Sequence, residues 1–173
     1  MVRKIVKFGD PVLETVCDPV PESEFGSPQL HALVQDMFQT MYDARGVGLA
    51  APQVGIPKRL TVIDCTAAEG EGERHVLINP EIVSEEGRQL GEEGCLSIPG
   101  FQEKVARPAK IRTRARTEDG EWFELEAKEL LARAICHEND HLNGVLFLHH
   151  VSRLKRKIIK RKIRNLRKRG EWD

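Results

Sequence analysis

The chain has 173 residues, of which 40% are hydrophobic and 31% charged, and its 27 Lys/Arg balance 27 Asp/Glu. That is ordinary for one globular domain able to bury its own core. No apolar run approaches the roughly 18 residues of a membrane span.

The opening stretch, MVRKIVKFGDPVLETV, has no signal-peptide apolar region and no Arg/Ser-rich transit character, so a cytoplasmic location is expected. The segment EFGSPQLHALVQDMFQTMYDARG predicts a first helix. Ser27 can cap it, Pro28 suits its first position, and Leu30, Leu33, Val34, Met37 and Met41 recur at helical spacing. Gly46 is expected to end it, and GVGLAAPQVGIP then reads as a close-fitting loop rather than a regular element. RLTVIDC and HVLINPEIVS predict short strands flanking a solvated loop, TAAEGEGER. KIRTRAR alternates as a half-exposed strand does. EDGEWFELEA adds an Asp-Gly turn and a return strand with Phe123 and Leu125 on one face.

A second helix is expected over AKELLARAICHENDHLNG, with Leu130, Leu131, Ala134, Ile135 and Leu142 as its apolar face and Gly144 as its stop. The tail Arg153–Asp173 predicts a third helix, with Val151, Leu154, Ile158, Ile159, Ile163 and Leu166 along one side. The fold class is α+β: antiparallel strands around a buried helix, with flanking N-terminal and C-terminal helices. Domain organisation follows charge. The tail carries 11 Lys/Arg against 2 Asp/Glu, while residues 1–152 carry 16 against 25. A basic appendage at 153–173 thus follows an acidic body at 1–152.

The second helix holds the chemistry. His137-Glu138-Asn139-Asp140-His141 is an HExxH pentapeptide. Residues four apart stack on consecutive turns, so His137 and His141 can grip one ion. Glu138 is offset by about 100°, close enough to touch a water there without being a ligand. The plain alternative is a helix with two polar histidines and a surface glutamate. The third ligand is open at this point. Phe147 stands where an HExxHxxGxxH site needs histidine, and the one downstream glutamate is Glu171, in the basic tail. His149 and His150 follow the helix stop and read as surface or helix-entry residues. An upstream ligand is favoured, and Cys95, in the glycine-rich GEEGCLSIPG, is the best candidate. A thiolate with two imidazoles leaves the open position of a catalytic site. The alternative for Cys95, kept for Cys17, Cys65 and Cys136, is a free thiol acting as a small buried hydrophobe.

Three motifs stand in order: GVGLAAPQ (Gly46–Gln53), EGCLS (Glu93–Ser97) and HENDH (His137–His141). Together they resemble peptide deformylase, the enzyme that removes the formyl group from the N-terminal methionine of new bacterial proteins. The resemblance spans residues 1–152. It implies Cys95, His137 and His141 as metal ligands and Glu138 as general base. It implies the Gln53 amide and the Leu96 N–H as oxyanion donors, and Gly48 as a backbone partner for an extended substrate. Val47, Leu130, Ala134 and the His137 ring are candidate walls of a methionine pocket. Arg133 is expected near its rim, as a substrate contact or a solvated side chain, and Arg107 in a structural salt link. One divalent ion is implied, Fe(II) first, with Zn(II), Ni(II) or Co(II) accepted by the same donors. Cys136 and Asn139 depart from the family's usual glutamine and apolar residue, at positions that are neither ligand nor base.

Formyl-methionyl nascent polypeptides are the implied substrate, and no membrane or DNA partner is expected. The basic tail has two readings: an amphipathic helix docked by its apolar stripe, and an arm that contacts ribosomal RNA. A zinc endopeptidase sharing the HExxH helix is the rival enzyme. A nucleic-acid-binding module with a purely structural metal is the non-enzymatic rival.

Overall fold

The computed structural model describes residues 1–66 and 72–172. The expected surface loop TAAEGEGER lies largely outside these residues. Helix α1 (Pro28–Asp43) is capped by Ser27, whose side chain accepts from the Leu30 N–H. Strands β1 (Gly48–Ala50), β2 (Leu60–Ile63), β3 (His75–Glu86), β6 (Lys110–Arg116) and β7 (Trp122–Lys128) form one antiparallel sheet in the order β1-β2-β3-β6-β7. Strands β4 (Gln89–Gly94) and β5 (Gln102–Arg107) form a separate antiparallel pair. Helix α2 (Glu129–Leu142) and helix α3 (Arg153–Lys168) follow.

The sheet is covered on both faces where it carries the site. Leu60, Val62 and Ile78 pack with Leu30, Leu33, Val34, Met37, Phe38 and Met41 of α1. Ile63, Leu77, Ile111, Ala115 and Ala127 pack with Ala132, Ala134, Ile135 and Cys136 of α2. Alternate residues of β2 and β3 thus serve opposite layers, which is why LTVI reads as an unbroken buried run. Pro80 sits within β3 because the register shifts there, between Ile78 and Glu81. The α+β expectation holds, with the HENDH stretch on the buried helix.

Several local expectations need correction. Gly46 does not end α1; Arg45 takes the left-handed conformation (φ 55), and Gly46 N–H donates back to Met41 O at 2.9 Å. The GVGLAAPQ stretch is not wholly irregular, since Gly48–Ala50 is the edge strand and Ala51–Val54 a 3-10 turn. The β4–β5 pair was not anticipated. The apolar side of α3 is narrower than expected. Ile159, Ile163 and Leu166 pack with Leu13, Ile98, Leu146 and Trp172, whereas Leu154 and Ile158 are exposed.

Candidate metal centre

Helix α2 passes under the cavity, and its second half aims His137, Glu138 and His141 inward, all buried. Cys95 follows β4 directly, in a turn closed by Ile98 N–H to Cys95 O at 2.9 Å. The three candidate ligand atoms lie within 4.8 Å of one another, with Cys95 Sγ 3.3 Å from His141 Nε2. The question left open by the HENDH stretch is met here: Cys95, rather than His149 or His150, comes to the two histidines.

The surroundings suit a cation. Burial works against charge on His137, but hydrogen bonds with Cys95 and Glu93 outweigh it and raise its pKa well above the usual histidine value. Burial, then the charge of His137, holds His141 well below that value, leaving a neutral ring with a lone pair to donate. His137 Nδ1 is 2.9 Å from Glu93 Oε2, which leaves its Nε2 for a ligand role. Among the described residues, His141 Nδ1 and Glu138 Oε2 are buried without a hydrogen-bond partner. A soft thiolate, two imidazoles and an unsatisfied carboxylate oxygen fit a divalent transition metal.

Glu138 stands beside this trio. Burial raises its carboxyl to about 7. Gly48 gives it room: a Cβ there would sit 3.0 Å from Glu138 Cγ and Cδ. Gly46 is constrained in the same way, since its Cβ would meet Leu96 Cδ1 at 2.7 Å. On the opposite side Gln53 Oε1 accepts from Ala50 N–H at 2.9 Å, which orients the amide. Its Nε2 lies 3.5 Å from Cys95 Sγ and donates to Ser97 Oγ at 3.1 Å. The N-terminal segment ties both loops, with Val6 N–H donating to Gln53 O at 2.9 Å and Phe8 N–H to Ser97 O at 2.8 Å.

Gln53, Cys95, His137 and Glu138 border one cavity of about 800 Å³, and His141 lies behind its wall. Val47, Gly48, Gln53, Cys95 and Leu96 line one part, and Leu130, Ala134, His137 and Glu138 another. Val47 and Leu130 are 43% and 50% exposed, apolar surface left open at the mouth. Arg133 lines the cavity as expected, and of its two readings the solvated one is overturned while its Nη2 is left without a partner among the described residues. It is buried, and its Nη1 donates to Glu93 Oε1 at 3.0 Å and Val105 O at 2.9 Å, so it is not a solvated rim residue. Arg107 makes the expected structural link, with two N–H groups on Glu93 at 2.9 and 2.8 Å and Nη1 on Asp140 at 2.7 Å. The residue missed by sequence reading is Glu93, which gathers Arg107, Arg133 and His137. Its signal was a glutamate two residues before the candidate ligand, with arginines expected nearby.

The family model for polypeptide deformylase matches residues 2–157. The chain belongs to the peptide deformylase family. A peptide deformylase of Acidobacterium capsulatum is 55% identical over 172 residues, 99% of each chain. The crystal structure of a peptide deformylase from Legionella pneumophila superposes with a TM-score of 0.89 at 43% identity, covering 98% of both chains. That of the Thermus thermophilus enzyme gives 0.86 at 39%, covering 95% of both. Peptide deformylases are metalloenzymes that hydrolyse the N-formyl group from nascent polypeptides, and this chain is such a hydrolase. Nothing among these relatives supports the endopeptidase alternative. Among the described residues no helix is long and apolar enough to cross a membrane.

Proposed function

We propose that Cys95, His137 and His141 hold one divalent metal ion, and that Glu138 serves as the base in deformylation of an N-terminal formyl-methionine. The observation that carries the reading is the convergence of the three donor atoms within 4.8 Å, beside a cavity that Cys95, His137, Glu138 and Gln53 line. Fe(II) is the first choice by resemblance to the family, and Zn(II), Ni(II) and Co(II) suit the same donors. When bound, such an ion supplies Lewis acidity, which favours ionisation of water and polarises a carbonyl.

The protein's own groups do the rest. Glu138 takes the proton of the attacking water and returns it to the leaving amine. The Gln53 amide and the Leu96 N–H donate to the oxyanion that develops on the formyl oxygen. Gly48 presents its backbone to the substrate as an added strand. Val47, Leu130, Ala134 and the His137 ring wall the methionine side chain. The test is formate release from a formyl-methionyl tripeptide by protein purified without oxygen. Formate and one metal per chain are expected, with both lost in Cys95→Ala. A metal-loaded protein that releases no formate would overturn the reading.

In this reading the protein works in the cytoplasm, with residues 1–152 catalytic and the basic segment 153–173 contacting the ribosome. Lys157, Arg161, Arg164 and Lys168 recur on α3 at spacings of three and four, all exposed. Neutralising these four to Gln keeps Ile159 and Ile163 in the core. It is expected to weaken co-sedimentation with ribosomes and flatten its salt dependence, with tripeptide turnover unchanged. Equal co-sedimentation of variant and wild type at low salt would remove the ribosome from the proposal.

A further inference from the structure

The cluster behind His137 does not stop at Arg107. Asp140 Oδ2, which accepts from Arg107 Nη1 at 2.7 Å, also lies 2.7 Å from His150 Nε2. His150 is on the 3-10 turn Phe147–His150, with its side chain 36% exposed. A continuous line of contacts therefore runs from the surface to a candidate ligand: His150, Asp140, Arg107, Glu93, His137. It draws on four elements, the turn, α2, β5 and β4.

We propose that His150 is a positioning residue for the metal centre, acting through Asp140 and Arg107 on the Glu93–His137 pair. The proposal rests on reading His137 as a metal ligand. Between His150 and His137, Asp140 is the member most open to water, its side chain being 22% exposed against 5% for Arg107 and Glu93. With a proton on Nε2, His150 gives its Oδ2 a second donor and fixes the carboxylate on Arg107. Arg107 then has both ends of its planar fork held, and Glu93 presents one fixed oxygen to His137 Nδ1. His150 is itself anchored. Arg156 Nε donates to Leu148 O at 2.8 Å and Nη2 to His149 O at 3.0 Å, so the first turn of α3 holds the turn that carries it.

The test uses the full chain loaded with Zn(II) and reads two quantities, the rate of zinc loss to excess chelator and the kcat/KM split on a formyl-methionyl tripeptide. His150→Leu removes the donor; His150→Gln keeps an N–H. In His150→Leu, zinc loss is expected to quicken about tenfold and kcat to fall about threefold, at the low end for groups behind a ligand, with KM unchanged. His150→Gln is expected to recover most of both. A lowered Tm in His150→Leu with zinc loss and kcat at wild-type values would overturn the proposal and leave a purely structural contact. If zinc is held by the wild type, lost in Cys95→Ala and indifferent to His150→Leu, this inference alone fails. If the wild type holds no zinc, the ligand reading fails with it.

Discussion

Glu138→Gln is expected to lower kcat for formate release by about a hundred- to ten-thousandfold while leaving metal content unchanged. Gln has the size of Glu but cannot take a proton from water, and Glu138 is offset on the helix from the two histidines. The same replacement has a second, opposite signature. Burial raises the Glu138 carboxyl from 4.5 to about 7 in the folded chain, and its Oε2 has no partner among the described residues. An acid raised on folding contributes stability below its unfolded value and loses it as pH rises through the folded one. At pH 8 the metal-free wild type therefore carries an unfavourable buried charge. Metal-free Glu138→Gln is expected to be more stable by on the order of 2 kcal/mol. Metal analysis, formate kinetics and thermal melts of the stripped proteins read all three. A variant that loses the metal would make Glu138 a ligand, and one with wild-type kcat would end its role as base.

Arg107→Ala is expected to cost about 3–5 kcal/mol, because it leaves the buried Glu93 charge short of its main partner. For a chain of this size that is a fall in Tm of roughly 6–20 °C. Glu93 and Arg107 side chains are each 5% exposed and joined by two parallel hydrogen bonds. Arg107→Lys should recover little, since a point charge cannot span Glu93 and Asp140 together. Burial would push the Glu93 carboxyl up, but Arg107 and His137 hold it well below the usual carboxylate range. The stability the cluster gives is then fully present above pH 4.5, the ordinary glutamate value, and is lost as pH falls below it. Arg107→Ala should flatten this acid dependence of Tm. A variant melting within about 2 °C of wild type would show that Arg133 and His137 satisfy Glu93 without Arg107.

Helices α1 and α2 could be read from sequence because their apolar residues recur at one period and their ends carry Ser27 and Gly144. β6 and β7 could be read because Ile111, Thr113 and Ala115 alternate with exposed arginines. The β4–β5 pair could not. Gln89–Gly94 has one exposed leucine and two glycines, and its inward residue Glu93 is fixed by ions rather than by an apolar stripe. Those partners, Arg107, Arg133 and His137, lie 14, 40 and 44 residues away, and no local pattern encodes such a meeting. The same reason hid the burial of Arg133. On α3 the spacing offered more apolar positions than the body can cover, and only packing picks out Ile159 and Ile163 over Leu154 and Ile158.

Among the described residues β1 is paired on one side only, with β2, and Gly48 on it borders the cavity. A sheet edge left open to receive a peptide backbone is open to any backbone, a second molecule of the same protein included. Length is the safeguard. β1 has three residues and runs straight into the Ala51–Val54 turn, so it offers too few rungs for stable pairing between copies. In the proposed reading a short peptide gains what a second molecule does not, because the cavity beside the edge would take up its first side chain. In that reading a strand of three residues is long enough to seat the start of a peptide and too short to seat another copy.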